Sequence, residues 1–261
     1  MRPTLIVETE YQGPVVISRL EFAGRPVCVV RPGEPDRLLD DPLVRDWNQR
    51  DDYMPYWAYL WPGALLLAEV VAREPWPTAN DGARPLQLLE IGCGVGLAGL
   101  VALSRGPRVC FSDYDQAPLR FVERSARENG FDRSRFSTRL LDWREPPDET
   151  YPVILGSDVL YERRLVPLVA ELLARMLAPG GLGLVSCPGR SSAAGFADAL
   201  ASRGLTCRTQ AVEARSEDGQ WINGQLYRVR NEGRGTVASL TGSASGERIW
   251  RVTDANDGET P

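Results

Sequence analysis

The chain has 261 residues, 43% of them hydrophobic, a length that holds one large domain or a domain with an extension. Its formal net charge of −5 weighs against nucleic acid as the main partner, and the absence of histidine removes Ser-His and Cys-His catalysis and every histidine-ligated metal site. The five cysteines, Cys28, Cys93, Cys110, Cys187 and Cys207, form no C-x-x-C pair and read as reduced thiols of a cytoplasmic protein. No charged-then-apolar leader follows Met1 and no apolar run approaches the roughly 18 residues that span a bilayer, so a soluble chain with no membrane partner is expected.

Residues 1–50 read as a β-rich N-terminal extension, with strands at Leu5–Val7, Val15–Leu20 and Val27–Val30 and a short helical piece near Leu38–Trp47. The main domain, residues 51–230, opens on the densest aromatic cluster of the chain, Met54-Pro-Tyr-Trp-Ala-Tyr-Leu-Trp-Pro-Gly63. Pro62 suits the first turn of a helix that continues through Leu66, Leu67, Val70 and Val71. Tyr56 suits either core or site, and Trp57 suits core. Trp61 is assigned to the site, because this helix start directly precedes the strand at residues 86–91.

That strand runs into Glu90-Ile-Gly-Cys-Gly-Val-Gly96 and then an apolar helix over Leu97–Ser104. A strand turning through glycines into a helix lets the backbone approach a nucleotide at the helix start. The spacing is not the G-x-G-x-x-G of a dinucleotide site. Glu90, two residues before Gly92, would repel a pyrophosphate but receive an ammonium, directly or through water. S-adenosylmethionine, with a cationic amino-acid end and no phosphate, therefore fits better than NAD.

The next strand, Arg108–Asp113, ends in a carboxylate 21 residues beyond Gly92, the interval at which such folds place an acid on ribose hydroxyls. Asp115 competes for that role or caps the helix that Pro118 opens, which ends at Asn129-Gly130. The third strand, Phe136–Leu141, leads to Asp142 and Trp143, candidates for the adenine ring. The fourth, Tyr151–Ser157, leads to Asp158-Val-Leu-Tyr161, where Asp158 is placed for the reacting end of the cofactor or the incoming nucleophile. A helix from Leu165 stops at Pro179-Gly180-Gly181, strand five spans Leu182–Cys187, and a helix over Ser191–Arg203 precedes a hairpin around Ser216–Gly219. Residues 231–261, rich in Gly, Ser and Thr, read as a disordered tail, with Arg248–Val252 as one short strand that could dock.

The Glu-x-Gly-x-Gly-x-Gly turn, the acid after the second strand and the final hairpin resemble the class I, seven-β-strand S-adenosylmethionine-dependent methyltransferases. Pro55–Gly63, Leu141-Asp-Trp143 and Asp158-Val-Leu-Tyr161 are similar to the methyltransferase-16-like lysine methyltransferase branch, and the first of these to its electron-transfer-flavoprotein β-subunit lysine methyltransferases. The resemblance implies a Rossmann-like α/β fold, mostly parallel with the last strand antiparallel, over residues 50–230. It implies cofactor contacts from Glu90, Gly92, Gly94 and Asp113, and an acceptor channel lined by Asp158 and Tyr161, the two candidate catalytic residues. Trp61, Cys93, Gly96, Tyr114, Asp142, Trp143 and Ser157 complete the candidate cofactor set, and no metal is expected. A protein lysine is the expected acceptor. A small amine or heteroaromatic nitrogen, and a silent cofactor-binding module, stay open as alternatives. An NAD-dependent oxidoreductase is disfavoured by the glycine spacing.

Overall fold

A computed structural model describes residues 9–76 and 85–233. The expected strand at Leu5–Val7 and the tail beyond residue 233 lie outside the described residues. In chain order the elements are β1 (Val15–Phe22), β2 (Arg25–Pro32), α1 (Pro42–Asp51), α2 (Pro62–Arg73), β3 (Gln87–Ile91), α3 (Leu97–Ser104), β4 (Arg108–Asp113), α4 (Gln116–Glu128) and β5 (Phe136–Leu140). There follow β6 (Tyr151–Ser157), α5 (Leu165–Met176), β7 (Leu177–Cys187), α6 (Phe196–Ala201), β8 (Thr206–Arg215) and β9 (Trp221–Arg230).

Seven strands form one sheet in the order β5-β4-β3-β6-β7-β9-β8. The first five pair in parallel, while β9 runs antiparallel to both β7 and β8. From β3 the chain first builds outward to β4 and β5 and then returns to β6 on the other flank. The carboxyl ends of β3 and β6 therefore flank a topological switch point, the place where open α/β sheets bind ligands.

Strand periodicity sorts the core into two layers. Leu88, Val153 and Leu155 face one side with α2, α3 and α4, whereas Leu89, Ile91 and Ile154 face the other with α5 and α6. α3 is buried from Leu97 to Leu103, because the sheet, α2 and the β1–β2 hairpin enclose it. The hairpin belongs to this layer: Phe22, Val27 and Val29 join the same core cluster. Asn129 clips it to the end of α4, its side chain accepting from the Cys28 N–H at 2.8 Å and donating to the Cys28 carbonyl at 2.6 Å.

Several boundaries differ from the sequence expectations for local reasons. α4 begins at Gln116, because the Asp115 carboxylate accepts from the Ala117 N–H at 2.8 Å and caps it; Pro118 is tolerated in the first turn, where N–H groups lack helical partners. β7 begins at Leu177, ahead of Pro179-Gly180-Gly181, because Leu177 already pairs with Tyr151; the register then shifts so that Val153 meets Leu182. The helix expected over Ser191–Arg203 is a 3-10 turn, Ser191–Ala193, followed by the short α6, the two separated by Gly195 in a left-handed conformation (φ 82°).

One packing constraint lies directly beneath the glycine turn. A Cβ added at Gly99 of α3 would come within 2.3 Å of Phe111 and 2.4 Å of Glu90. Phe111 is fully buried and cannot swing away. Gly99→Ala is expected to lower stability by about 1–3 kcal/mol, the usual cost of overpacking, measured by denaturant unfolding.

Candidate functional site

The glycine turn is shaped by close approach. Gly92 and Gly94 have φ of 53° and 50°, a conformation that L side chains rarely adopt. A Cβ on Gly92 would strike the Trp143 ring at 2.7 Å, and one on Gly94 would press on the Trp57 carbonyl oxygen at 3.3 Å. Both glycines, with buried Cys93 between them, line a cavity of about 600 Å3. Gly96 does not line it. Its place is against Val122, where a Cβ would come within 2.6 Å, so this glycine lets α4 pack on the turn.

Glu90 is placed differently from the sequence expectation. Strand alternation turns it toward α3, where Oε2 accepts the Gly99 N–H at 3.0 Å and the side chain is fully buried, outside the cavity lining. Its Oε1 has no hydrogen-bond partner among the described residues. Burial pushes its pKa up to about 8, against the lowering effect of the Gly99 N–H.

Asp113, at the end of β4, does line the cavity. One carboxylate oxygen accepts the Gly94 N–H at 2.9 Å and the other the Asp115 N–H at 3.2 Å. Burial nonetheless raises its pKa to about 6. Tyr114, Asp142 and Trp143 line the same end. The Asp142 carboxylate, expected to accept from an adenine amine, is instead gripped by Arg144, with Nε at 2.9 Å from Oδ1 and a terminal nitrogen at 2.7 Å from Oδ2. Arg144 also reaches Asp51 at 2.9 Å and lies over the Tyr114 ring, while the Tyr114 hydroxyl donates to Asp51 at 2.9 Å.

The other end of the cavity is built by Ser157, Asp158, Tyr161, Trp61 and Tyr56. Asp158 has a left-handed backbone (φ 57°) and only 6% exposure. Its N–H donates to the Ser186 carbonyl at 3.0 Å, and a Cβ on Gly63 would meet its own Cβ at 2.7 Å, so neighbours on both sides fix this residue. Its carboxylate accepts two hydrogen bonds from Arg190, at 2.5 and 2.9 Å. Trp61 donates its indole N–H to the Tyr56 carbonyl at 2.6 Å, and the Arg190 guanidinium lies 5.5 Å from its ring centroid. Tyr56 and Tyr161 meet edge-on, with ring centroids 5.3 Å apart, and each is 37% exposed. They form a rim.

Of the thirteen candidate residues, the structure brings eleven to this one cavity and places Glu90 and Gly96 behind it. Arg144 and Arg190 were missed. Arg144 stands two residues from Asp142, a spacing that could have been used. Arg190 follows the end of β7 through Cys187-Pro-Gly, and its position at a carboxyl strand end was the available signal.

Sheet order, glycine turn and the position of the cavity define a Rossmann-like class I methyltransferase fold. The crystal structure of magnesium protoporphyrin IX methyltransferase from Synechocystis with bound SAH has the same fold: its TM-score is 0.50, with 16% identity, over 65% of this chain and 84% of that one. The lysine methyltransferase family profile matches residues 53–197, more than half of the chain, and the chain belongs to that family. A Xenopus tropicalis protein, protein N-lysine methyltransferase METTL21A, is 32% identical over 55% of this chain and 64% of its own length. Histone-arginine methyltransferase METTL23 of Xenopus laevis is 35% identical over 41% of this chain and 46% of its own. The electron transfer flavoprotein beta subunit lysine methyltransferase of Danio rerio is 32% identical over 30% of each chain. The chain thus spans less than two thirds of each of these three curated relatives.

Glu90 carries a prediction. Its pKa is raised from 4.5 to about 8 on folding, so the folded state keeps a proton that the unfolded state releases, and stability falls as pH rises across that interval. Glu90→Gln removes this part of the pH dependence. In thermal melts of the ligand-free protein, the variant's Tm relative to the natural chain is expected to rise steadily from pH 4.5 to about 8.

Proposed function

We propose that this chain is an S-adenosylmethionine-dependent N-methyltransferase that methylates a lysine side chain of a protein. The observation that carries the reading is the single cavity joining the glycine turn and Asp113 to an aromatic rim that opens to solvent at Tyr56 and Tyr161. An open rim admits a long side chain from another protein. A small amine would be better served by a closed lid. The relatives named for lysine methylation support the same acceptor class. The five free thiols suit the reducing cytoplasm, which is the proposed location.

The residues present fit the cofactor. Gly92 and Gly94 line the cavity with bare backbone, a Cβ on either being barred by Trp143 or Trp57, and Asp113 beside them at the β4 end is the carboxylate we assign to the ribose hydroxyls. Trp143 lies over Gly92, where an aromatic ring could pack on adenine. When bound, S-adenosylmethionine supplies a methyl group on a sulfonium, whose positive charge also lowers the pKa of a neighbouring amine.

This chain's own work is positioning and desolvation, which supply most of the acceleration of an in-line displacement. A lysine with a pKa of about 10.4 is only about 0.04% neutral at pH 7, a handicap of roughly 4.6 kcal/mol. With no histidine in the chain, the proton leaves to water or to a carboxylate before attack. Asp158 orients the nitrogen, and Tyr161 and Tyr56 wall the channel and exclude water around it.

The test is incubation with methyl-labelled S-adenosylmethionine and a size-fractionated cell extract. Label in a discrete protein band, on lysine by peptide mass spectrometry, is the expected result. Label confined to small molecules, or found on arginine, would overturn the lysine reading. Asp158→Ala is expected to cut transfer about a hundredfold, as misplacement of a reacting group does. S-adenosylmethionine binding, read by calorimetry, should remain within about twofold (roughly 0.4 kcal/mol).

A further inference from the structure

The carboxylate assigned to orient the acceptor already has a cationic partner. Arg190 meets Asp158 with two hydrogen bonds, at 2.5 and 2.9 Å, and its guanidinium also lies over the Trp61 ring. Four segments hold this pair in place: the β6–α5 loop carries Asp158, the end of β7 leads to Arg190, and the start of α2 and the turn at Tyr56 supply Gly63, Trp61 and their contacts. This is not a loose surface pair. Asp158 is buried, and a buried carboxylate stripped of its partner would be strongly unfavourable.

An unpaired carboxylate at this point would act against the reaction. An opposite charge within about 4–6 Å raises an amine's pKa by about 1–3 units, so a lone Asp158 would hold an incoming lysine as its ammonium, which cannot attack. The reaction needs the reverse. We propose that Arg190 is a positioning residue whose charge cancels that of Asp158 toward the acceptor, so that the site holds the acceptor nitrogen as a free amine. The proposal rests on the methyltransferase reading above and adds to it what keeps the acceptor wall neutral.

The other groups around the pair leave that balance intact. Tyr161 and the Cys187 thiol are pushed upward by burial and stay neutral near pH 7, and Tyr56 faces the pair. Glu162 is paired with Arg164. Asp113 stands at the cofactor end, committed to two backbone N–H groups. Arg190 is therefore the group that decides whether Asp158 presents a net charge to an acceptor.

The experiment measures the rate of label transfer from methyl-labelled S-adenosylmethionine to the acceptor band of a heat-treated extract, from about pH 6 to about pH 10, at several extract concentrations. In Arg190→Gln the acid limb of the profile should move up by about one pH unit or more, so that the rate near pH 7 falls about tenfold and recovers at high pH, while half-saturation falls. Arg190→Lys keeps the charge and should keep the limb. Asp158→Asn leaves Arg190 uncompensated and should move the limb down, whatever its effect on the plateau. Should Arg190→Gln not fold, the double variant Asp158→Asn/Arg190→Gln, neutral on both sides, should keep the natural limb, and Asp158→Asn alone still gives the sign. An unmoved limb in either single variant, with the natural chain active, overturns the proposal alone. A natural chain that binds S-adenosylmethionine by calorimetry yet labels nothing at any pH overturns the lysine reading and this proposal with it.

Discussion

The carboxylate of Asp113 closes a ring of contacts on which the candidate site depends. It accepts the Gly94 N–H in one oxygen and the Asp115 N–H in the other. Asp115 in turn caps α4 and accepts from the Tyr53 hydroxyl and from Thr9, and the Trp57 indole donates to the Tyr53 hydroxyl at 3.2 Å. The Trp57 backbone then returns to lie against Gly94. The ring ties the glycine turn, the β4 end, the start of α4 and the segment before α2 into one wall. Buried polar networks of this kind rigidify when every member is satisfied.

Outside that ring, the mouth is tied down by charge. Arg144 joins Asp142 to Asp51, and Arg164 reaches Asp52, so the end of α1 is linked to the loops after β5 and β6. The Arg164–Asp52 pair is solvent-exposed and worth about 0–1 kcal/mol, whereas Arg144 grips an Asp142 carboxylate that is only 16% exposed. Both arginines tie the end of α1 to the mouth of the cavity. The Asp158–Arg190 pair is bidentate like Arg144–Asp142 but has the more deeply buried carboxylate.

β3 and β4 were legible because each is a short apolar run closed by a glycine or an acid, and α3 was read to the residue from its unbroken apolar stretch. Asp113 was legible because backbone topology, not side-chain packing, puts the second strand's end beside the first turn. Glu90 was not, since the sequence gives its distance from Gly92 but not the strand face it occupies; alternation with Leu88 turns it to α3. Asp142 and Asp158 were placed at the cavity, yet their partners were not foreseen. Arg190 lies 32 residues from Asp158, and only the pairing of β6 with β7 brings the two together. Local pattern reading finds which strand ends meet, whereas side-chain partners across them require the fold.

The central claim is that the glycine-turn end of the cavity holds S-adenosylmethionine, with Asp113 as the ribose acid. Calorimetric titration of S-adenosylmethionine into the natural chain and into Asp113→Asn tests it most directly. Asn keeps the volume and the oxygen for the Gly94 N–H but loses the charge and the acceptor for the Asp115 N–H. Single-site binding by the natural chain, weakened at least tenfold (about 1.4 kcal/mol) in Asp113→Asn with the fold intact by circular dichroism, is the predicted result. Equal affinity in the two proteins, or no binding by the natural chain, would contradict it.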